Sequence, residues 1–401
     1  MKILTLSAHP SEFEFAIIST SHHETLVSGR VKDIGNDNSY IEFEKSNQPP
    51  IRIRKIFYDY KDSLKELMKW LTDDQYGVLT KVENLKCIAH RVVFCANCET
   101  SPMLINARVL KIIEEGIALA PLHNNSNLML IKAALSLFEL PQLAVFDNYF
   151  YQSLLPVNYL YALPQSLNEQ YHIRKYGFHG LHHLENLQKS CRLLNKPQTE
   201  INLISCCIER GISVVAIKDG IAIDTNCGFG TFSGIPSIDH AGDFDPAVIL
   251  YLLEQKLLGL DDIKYMVYHQ SGINAIIKKQ MTFDELIETS LQQNAEALFA
   301  LDYLCSRIAK SISGMLINYS SLDAICFSGI NGAKYPLLRE QICKKLSLFS
   351  VSLDGKLNDK NKPDSIISDR ESKYPIYLFR NQLFLMMAKT VSTVSLKAGS
   401  R

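Results

Sequence analysis

The sequence has little of what marks membrane, secreted or nucleic-acid-binding proteins. Its 401 residues contain one tryptophan, and no apolar run reaches the ~20 residues that a membrane-spanning helix needs. Neither sign of charge predominates, because 42 Lys and Arg balance 42 Asp and Glu. A chain without a basic field has little to attract nucleic acid or an anionic membrane. We therefore expect neither partner.

The pattern also lacks a secretory leader and a disulfide scaffold. Residues 1–8 are apolar, but this segment is too short and not basic enough at its front for a signal peptide. The ten cysteines are dilute and spread from Cys87 to Cys343, which fits a reducing compartment better than a disulfide-rich fold. We expect a cytoplasmic protein whose cysteines lie mostly in the core.

The composition that remains is that of a folded globular protein. Hydrophobic residues make up 47% of the chain and charged residues 21%. At about 100–200 residues per domain, the length fits two or three domains, and we expect two. A segment rich in Tyr and Pro, 149–176, separates them. We place an N-terminal α/β domain at 1–148, joined by a C-terminal helix at about 381–395, and a C-terminal α/β domain at 149–380.

Strand-like and helix-like patterns alternate in both halves, which predicts an α/β architecture. Each half opens with a strand, a polar turn and a second strand, near residue 7 and again near residue 210, and this repeat indicates a duplicated domain. The polar stretch 354–364 is predicted to be a surface loop. The main predicted strands are 3–7, 13–20, 87–93, 143–147, 201–208, 213–218 and 323–327, and the main predicted helices are 64–71, 106–118, 124–138, 294–319 and 381–394.

Cys95 and Cys98 form a Cys-x-x-Cys pattern whose chemistry stays open. A redox pair and one half of a zinc site are both compatible with this spacing, and two inert thiols are the third possibility. The chain has no second Cys-x-x-Cys. A four-cysteine zinc site is therefore not expected.

Six short segments resemble motifs of the acetate and propionate kinases, in the same order and with the same spacing. They are His-Arg-Val-Val at 90–93, Ala-Pro-Leu-His-Asn at 120–124, Val-Phe-Asp at 145–147, Tyr-Gly-Phe-His-Gly at 176–180, Gly-Asp-Phe-Asp-Pro at 242–246, and Ile-Ser with Glu-Ser-Lys at 367–373. The match extends from Lys2 to about Lys389. No single segment is specific, but six in register make chance a poor explanation.

This resemblance implies a fold and a reaction. The fold is the duplicated actin-like, hexokinase-like (ASKHA) α/β architecture, with the active site in a cleft between two domains. The reaction transfers the γ-phosphoryl group of ATP, with Mg²⁺, to a short-chain carboxylate such as acetate, propionate or butyrate, and yields an acyl phosphate. The resemblance also implies a homodimer formed through the second domain.

The pocket for the carboxylate matches the family pattern. Arg91 resembles the arginine that pairs with the substrate, since a planar guanidinium can hold two carboxylate oxygens at once. The alternative is an arginine in a structural ion pair. Val93, Leu122 and Phe178 fall where the family lines the pocket around the alkyl group of the substrate, although each alone would be an ordinary core residue.

Four further residues resemble catalytic positions of the family. Asp147 resembles the aspartate that orients the attacking carboxylate or a metal-bound water, and His179 the histidine that hydrogen-bonds the phosphoryl group in flight. His123 resembles another active-site histidine. His240 falls where the family has its second catalytic arginine. Imidazole cannot form the arginine fork and is only partly charged at neutral pH.

The turns that would bind the nucleotide depart from the family pattern. In the first turn, Ser7, His9 and Glu14 stand where the family has an asparagine, a glycine and a lysine. Pro10 also removes an amide donor. A carboxylate in this turn repels the phosphates that a lysine would attract.

The second phosphate turn and the adenosine pocket keep only fragments of the pattern. Gly211 and Ser213 survive in the second turn, whose family sequence is otherwise replaced by Cys-Ile-Glu-Arg at 207–210. Gly329 and Ile330 survive in the adenosine pocket. These four residues are the candidates for binding the nucleotide.

No metal site can be assigned from the sequence. The family has a metal-linked glutamate near the C-terminus, where this chain offers Gln382, and Mg²⁺ prefers charged oxygen ligands. Two hypotheses follow. The chain is either a short-chain carboxylate kinase impaired by its nucleotide site, or a non-catalytic relative that binds a small carboxylate or partners an active kinase.

Overall fold

The computed structural model describes residues 1–45, 48–96 and 98–394. The chain divides into two compact units, one of residues 1–149 with the described residues from Gln382 onward, the other of Phe150–Asn381. Residue 395, at the end of the predicted C-terminal helix, lies outside the described residues. No helix in the described ranges is long and apolar enough to cross a membrane.

Fourteen strands and fifteen α-helices are defined within the described residues. The strands are β1 (Lys2–His9), β2 (Glu12–Ser19), β3 (Glu24–Lys32), β4 (Tyr40–Lys45), β5 (Ile51–Arg54), β6 (Leu85–Val92), β7 (Met103–Leu104), β8 (Gln142–Phe146), β9 (Leu203–Ile208), β10 (Ile212–Lys218), β11 (Ile221–Thr225), β12 (Ala324–Ser328), β13 (Ser365–Ile366) and β14 (Ile376–Leu378). The helices are α1 (Tyr60–Leu71), α2 (Ala107–Glu115), α3 (Pro121–Leu137), α4 (Pro156–Tyr159), α5 (Gln165–Tyr171), α6 (Gly180–Leu194), α7 (Ala247–Glu254), α8 (Leu260–His269), α9 (Gly272–Ile277), α10 (Phe283–Leu291), α11 (Ala295–Leu316), α12 (Ile330–Lys334), α13 (Pro336–Lys345), α14 (Gly355–Lys360) and α15 (Leu383–Ser392).

The first unit is built on an eight-stranded mixed sheet of order β5-β4-β3-β2-β1-β6-β8-β7. Strands β1, β6 and β8 run parallel, and β2 pairs antiparallel with β1. Parallel strands need crossover connections, which helices supply here. The carboxyl ends of β1, β6 and β8 meet at one edge, and this edge carries the predicted carboxylate-side residues.

The second unit repeats this plan on a six-stranded sheet of order β11-β10-β9-β12-β14-β13. The antiparallel pair β9 and β10 corresponds to β1 and β2, and β12 runs parallel to β9 as β6 does to β1. The long helix α11 packs on β9 and β10 and contributes much of the core. The predicted duplicated α/β fold is confirmed.

One predicted loop is wrong. Within 354–364, residues Gly355–Lys360 form helix α14, whose first turn is capped by the Asp354 carboxylate accepting from the Leu357 N–H at 3.0 Å. Asn358 is buried and accepts from Nε of Arg339, itself fully buried, at 2.8 Å. Asn358 and Asn361 thus satisfy a buried guanidinium, while most other polar residues of this stretch are exposed, and composition alone does not tell the two groups apart.

Sequence patterns also missed the strands β3, β4 and β5, which extend the first sheet beyond β2.

The cysteine prediction needs one correction. Cys95 and Cys98 are joined in a disulfide, so neither the zinc half-site nor the pair of inert thiols describes them. Of the other eight cysteines, seven are buried and Cys191 is half-buried, as expected for core residues.

His90 makes the stability of the fold depend on pH. Burial lowers the pKa of this histidine to about 4, although its hydrogen bond to Gln142 opposes the shift. Below about pH 6.5 the unfolded chain therefore takes up a proton that the folded chain refuses until about pH 4. We expect His90 to remove about 3 kcal/mol of unfolding free energy across this window. Urea unfolding at pH 7 to 4 should show a shallower pH slope for His90→Gln than for wild type.

His22 is exposed on the surface and supplies the matched control. The pH slope of His22→Gln should equal that of the wild-type chain. Equal slopes for all three proteins would contradict the assignment to His90.

Candidate active site

A buried ion pair lies at the edge where strands β6 and β8 end. Arg91 is the next-to-last residue of β6, and Asp147 directly follows β8. The Arg91 guanidinium donates to Oδ2 of Asp147 at 2.6 Å, with side chains 11% and 0% exposed. The structural ion pair that the sequence left open for Arg91 is therefore formed. A guanidinium carries five N–H donors, so this pair is compatible with binding a substrate carboxylate.

Buried asparagines fix the loop that follows Arg91. Oδ1 of Asn127 accepts from the Val93 N–H at 3.1 Å, and Asn124 both accepts from the Phe94 N–H and donates to its carbonyl. Both asparagines lie on α3, so these bonds tie the loop to that helix. Sequence reasoning missed them. The available signal was two asparagines three residues apart, hence on one helix face, beside a family motif.

The other predicted residues of this unit lie near the same edge. Val93 is buried, and Leu122 is half-buried in the first turn of α3. His123 follows Leu122, and its ring lies edge-on to His9 with centroids 6.5 Å apart. The structure thus places His123 beside the end of β1.

A carboxylate shares this edge with Arg91. Ser7 on β1 is paired with Glu14 on β2 and with Arg91 on β6, so the three residues lie side by side across the sheet. Burial raises the pKa of Glu14, while the nearby positive charge of Arg91 opposes the shift. The Glu14 side chain is 46% exposed, so this desolvation is partial. Any anion approaching here meets the negative charge of Glu14 as well as Arg91.

In the second unit, His179 holds a strained backbone conformation next to a serine. Its φ of 58° is left-handed, which costs a non-glycine residue free energy and is often retained at functional sites. Nδ1 of His179 lies 2.9 Å from Oγ of Ser213, and the same hydroxyl lies 2.7 Å from Nε2 of His183. His183, which the predictions omitted, therefore helps to orient this pair.

Gly211 brings His179 and His240 together. A Cβ atom on Gly211 would lie 3.5 Å from Cε1 of His179 and 4.0 Å from Nε2 of His240. His240 is 17% exposed and hydrogen-bonds Ser237, while its Nδ1 lies 3.4 Å from Oδ1 of Asp239. Burial lowers the pKa of His240 despite the charge of Asp239. His240 is therefore mainly neutral at neutral pH and does not supply the positive charge of an arginine.

The turn between β9 and β10 carries a carboxylate that takes a backbone donor. Oε1 of Glu209 accepts from the Ile330 N–H at 2.8 Å, and the Glu209 carbonyl accepts from the Asn331 side chain. Gly329 has a φ of 82°, and a Cβ atom there would come within 2.6 Å of the Ile208 carbonyl oxygen, so only glycine fits. The predicted pair Gly329 and Ile330 thus meets the β9–β10 turn through Glu209.

The remaining residues of this turn and Phe178 are held by protein contacts. Arg210 donates to Asp239, and this bond and charge lower the pKa of Asp239 even though burial opposes them. Phe178 is buried, and its carbonyl accepts from the Tyr151 hydroxyl. The charge of Arg210 is therefore already balanced by Asp239.

Comparison with known proteins shows the family of the chain. Residues 2–389 match the model of the Acetokinase family. The chain belongs to that family. It is 31% identical to the acetate kinase of Treponema denticola over 97% of this chain and 98% of that protein.

Solved structures agree with the family assignment. The crystal structure of Porphyromonas gingivalis acetate kinase matches with a TM-score of 0.89 and 26% identity, over 98% of this chain and 99% of that one. A propionate kinase from Francisella tularensis matches with a TM-score of 0.90 and 28% identity, over 97% and 98%. The resemblance and the fold predicted from the sequence are confirmed, and the roles of individual site residues stay predictions.

The residues of this acetokinase-family chain do not fit a dedicated Mg²⁺ site. Mg²⁺ favours carboxylate and phosphate oxygens in an octahedral shell. Asp147 is neutralised by Arg91, and Gln382 is uncharged. Within residues 1–45, 48–96 and 98–394, the only convergent group of three or more His, Cys, Asp or Glu ligand atoms contains a thiol and an imidazole. No step of the reaction is assigned to a metal here.

The Arg91–Asp147 pair should contribute strongly to the stability of the first unit. Asp147→Asn leaves the Arg91 guanidinium buried without its counter-charge, which typically costs about 3–5 kcal/mol of unfolding free energy. Glu99→Gln breaks an exposed ion pair, in which the side chains of Glu99 and Arg108 are 70% and 65% exposed. This change should cost less than about 1 kcal/mol of unfolding free energy. Denaturant unfolding measures both. Similar losses for the two variants would contradict the description of Arg91 and Asp147 as a tightly coupled buried pair.

Proposed function

We propose that this acetokinase-family chain is a phosphotransferase for short-chain carboxylates whose turnover is impaired on the nucleotide side. The observation that supports impairment best is the Glu209 carboxylate, which accepts from the Ile330 N–H at 2.8 Å. A fixed negative charge there opposes the approach of nucleotide phosphates. ATP and Mg²⁺ are the cosubstrate and metal that the family implies, and both are expected to bind weakly.

In this proposal, Arg91 binds the carboxylate and Asp147 orients it. The guanidinium fork fixes the direction of the attacking oxygen, which is the positioning that phosphoryl transfer demands of a protein. Val93 and Leu122 supply apolar contacts to the alkyl chain, and Phe178 is proposed to do the same. His123 is proposed to act near this end of β1. One methylene changes binding by only about 1–3 kcal/mol, so acetate, propionate and butyrate all remain candidates.

Phosphoryl transfer itself relies on the second unit. His179, oriented through Ser213, is proposed to hydrogen-bond the transferred group, with Gly211, Gly329 and Ile330 close to the nucleotide. A mainly neutral His240 contributes little to the charge of the transition state. An arginine in this role is worth roughly 10³–10⁵ in rate, so the chemistry should be slow. A homodimer and a cytoplasmic location are proposed on the family resemblance.

The second candidate function is a non-catalytic carboxylate-binding protein or a partner of an active kinase. Glu14 favours it, because a second carboxylate beside Arg91 disfavours the highly charged triphosphate more than a single small anion. Ligand binding and turnover separate the two candidates. Carboxylate binding without any turnover would support the second.

Turnover is measured directly by trapping the acyl phosphate with hydroxylamine. With ATP, Mg²⁺ and acetate or propionate, the wild-type rate should fall at least about 10³-fold below that of an active acetate kinase assayed in parallel. Arg91→Ala should abolish the product. Arg91→Lys should recover little, because an ammonium group cannot form the fork. A wild-type rate comparable to that of the active kinase would contradict impairment.

Thermal unfolding with ligands tests the two sides separately. Propionate or butyrate should raise the melting temperature, since a ligand at 100 times its Kd adds about 2.7 kcal/mol. Mg·ATP should not. Sodium chloride at matched ionic strength is the control. Arg91→Lys keeps a positive charge beside Asp147 and should lose most of the propionate shift, because an ammonium group cannot form the fork. A clear shift with Mg·ATP would contradict the account of the nucleotide side.

A further inference from the structure

Three side chains of different elements converge beside the β9–β10 turn. His182 lies in the first turn of α6, Cys207 is the next-to-last residue of β9, and Glu209 follows that strand directly. Their ligand atoms all lie within 4.8 Å of one another. We propose that His182, Cys207 and Glu209 form a binding site for a zinc-class divalent cation in the second unit.

The strand geometry explains why two of the ligands meet. Cys207 and Glu209 are two residues apart, so their side chains project from the same face of the chain. Cys206 between Ser205 and Cys207 projects to the opposite face and belongs to the main hydrophobic core. His182 reaches this face from α6. The site is thus built from a strand, the turn after it and a helix.

The distances suit a compact metal shell after small side-chain movements. Zinc bonds of about 2.0–2.3 Å place tetrahedral ligand atoms roughly 3.5 Å apart. Nε2 of His182 already lies 3.6 Å from Oε1 of Glu209. The outer limit of 4.8 Å within the group therefore has to shorten by roughly 1 Å when the ion binds.

The chemistry of the donors selects the class of metal. An imidazole, a thiolate and a carboxylate suit Zn²⁺ and neighbouring transition metals, whereas Mg²⁺ favours oxygen ligands alone. Three protein ligands also leave a fourth position for water or an anion, as in catalytic zinc sites. A bound cation would moreover compensate the negative charge that Glu209 brings to this turn.

The surroundings restrict two of the ligands. The His182 side chain is 7% exposed, and Cys207 is completely buried. The hydrogen bond from the Ile330 N–H holds the Glu209 carboxylate. Such outer contacts orient metal ligands and raise affinity. His182 and Glu209 alone would make an ordinary ion pair. The buried cysteine whose sulfur joins them is what points to a soft metal.

Metal titration of the untagged full chain tests the site. After EDTA dialysis, Zn²⁺ should bind with a stoichiometry of one per chain and release protons, because the thiol ionises on binding. Co²⁺ should produce the absorption of a cobalt–thiolate bond, and Mg²⁺ should produce no response. Cys207→Ser should abolish the cobalt–thiolate absorption and weaken Zn²⁺ binding at least about 100-fold, beyond the loss typical of an outer contact.

Matched variants make each outcome decisive. Cys191→Ser changes a half-buried thiol elsewhere on α6 and should bind Zn²⁺ as wild type does. The double variant Cys95→Ser and Cys98→Ser should also bind normally. His182→Gln and Glu209→Gln should both weaken binding, so that the test still stands if Cys207→Ser fails to fold. Absence of stoichiometric binding, or binding that only the Cys95 and Cys98 variant loses, would overturn the proposal. These measurements need no nucleotide or carboxylate, so they are independent of the kinase assays.

Discussion

The ion pair between Arg91 and Asp147 is the interaction on which the first unit depends. Two charges are taken out of water at the ends of adjacent parallel strands, and their mutual attraction offsets much of the desolvation. Neighbouring residues fix the backbone around this pair. The buried asparagines Asn124 and Asn127 fix the loop after β6, and the sheet register sets Glu14 beside Arg91. Replacing either residue would leave the other charge buried without its partner, so the pair constrains the first unit whatever else Arg91 binds.

In the second unit, the charged and titratable side chains near the β9–β10 turn have different environments from those of Arg91 and Asp147. Arg210 is paired with Asp239, His240 is held mainly neutral by burial, and Glu209 takes a backbone donor. Each of these arrangements lowers the positive potential that a triphosphate requires. The first two are linked, because Asp239 contacts both Arg210 and His240. Arg210, Asp239 and His240 therefore act as one local network of side chains.

Periodicity and motif order predicted the fold well, because the buried strands β1, β6 and β9 are rich in apolar residues and the six family segments follow one another in order along the chain. They failed where polar residues are buried. Asn358 looked like part of a solvated loop, yet it holds the guanidinium of Arg339. Asn124 and Asn127 carry no local sign of burial, yet they satisfy backbone donors of the preceding loop. Whether a polar side chain meets water or a buried partner depends on tertiary contacts that no local pattern contains.

The residues of the candidate sites were likewise predictable only in part. Arg91, Asp147 and His179 can be picked out from a family pattern, because the motifs that contain them are retained. The convergence of His182, Cys207 and Glu209 cannot, since two lie on a strand and its turn while the third lies on a helix 25 residues earlier along the chain. Read singly, Cys207 and Glu209 are merely unfavourable substitutions in a phosphate turn. Seen together with His182, they place an imidazole, a thiol and a carboxylate side by side, and all three can donate an electron pair to a cation.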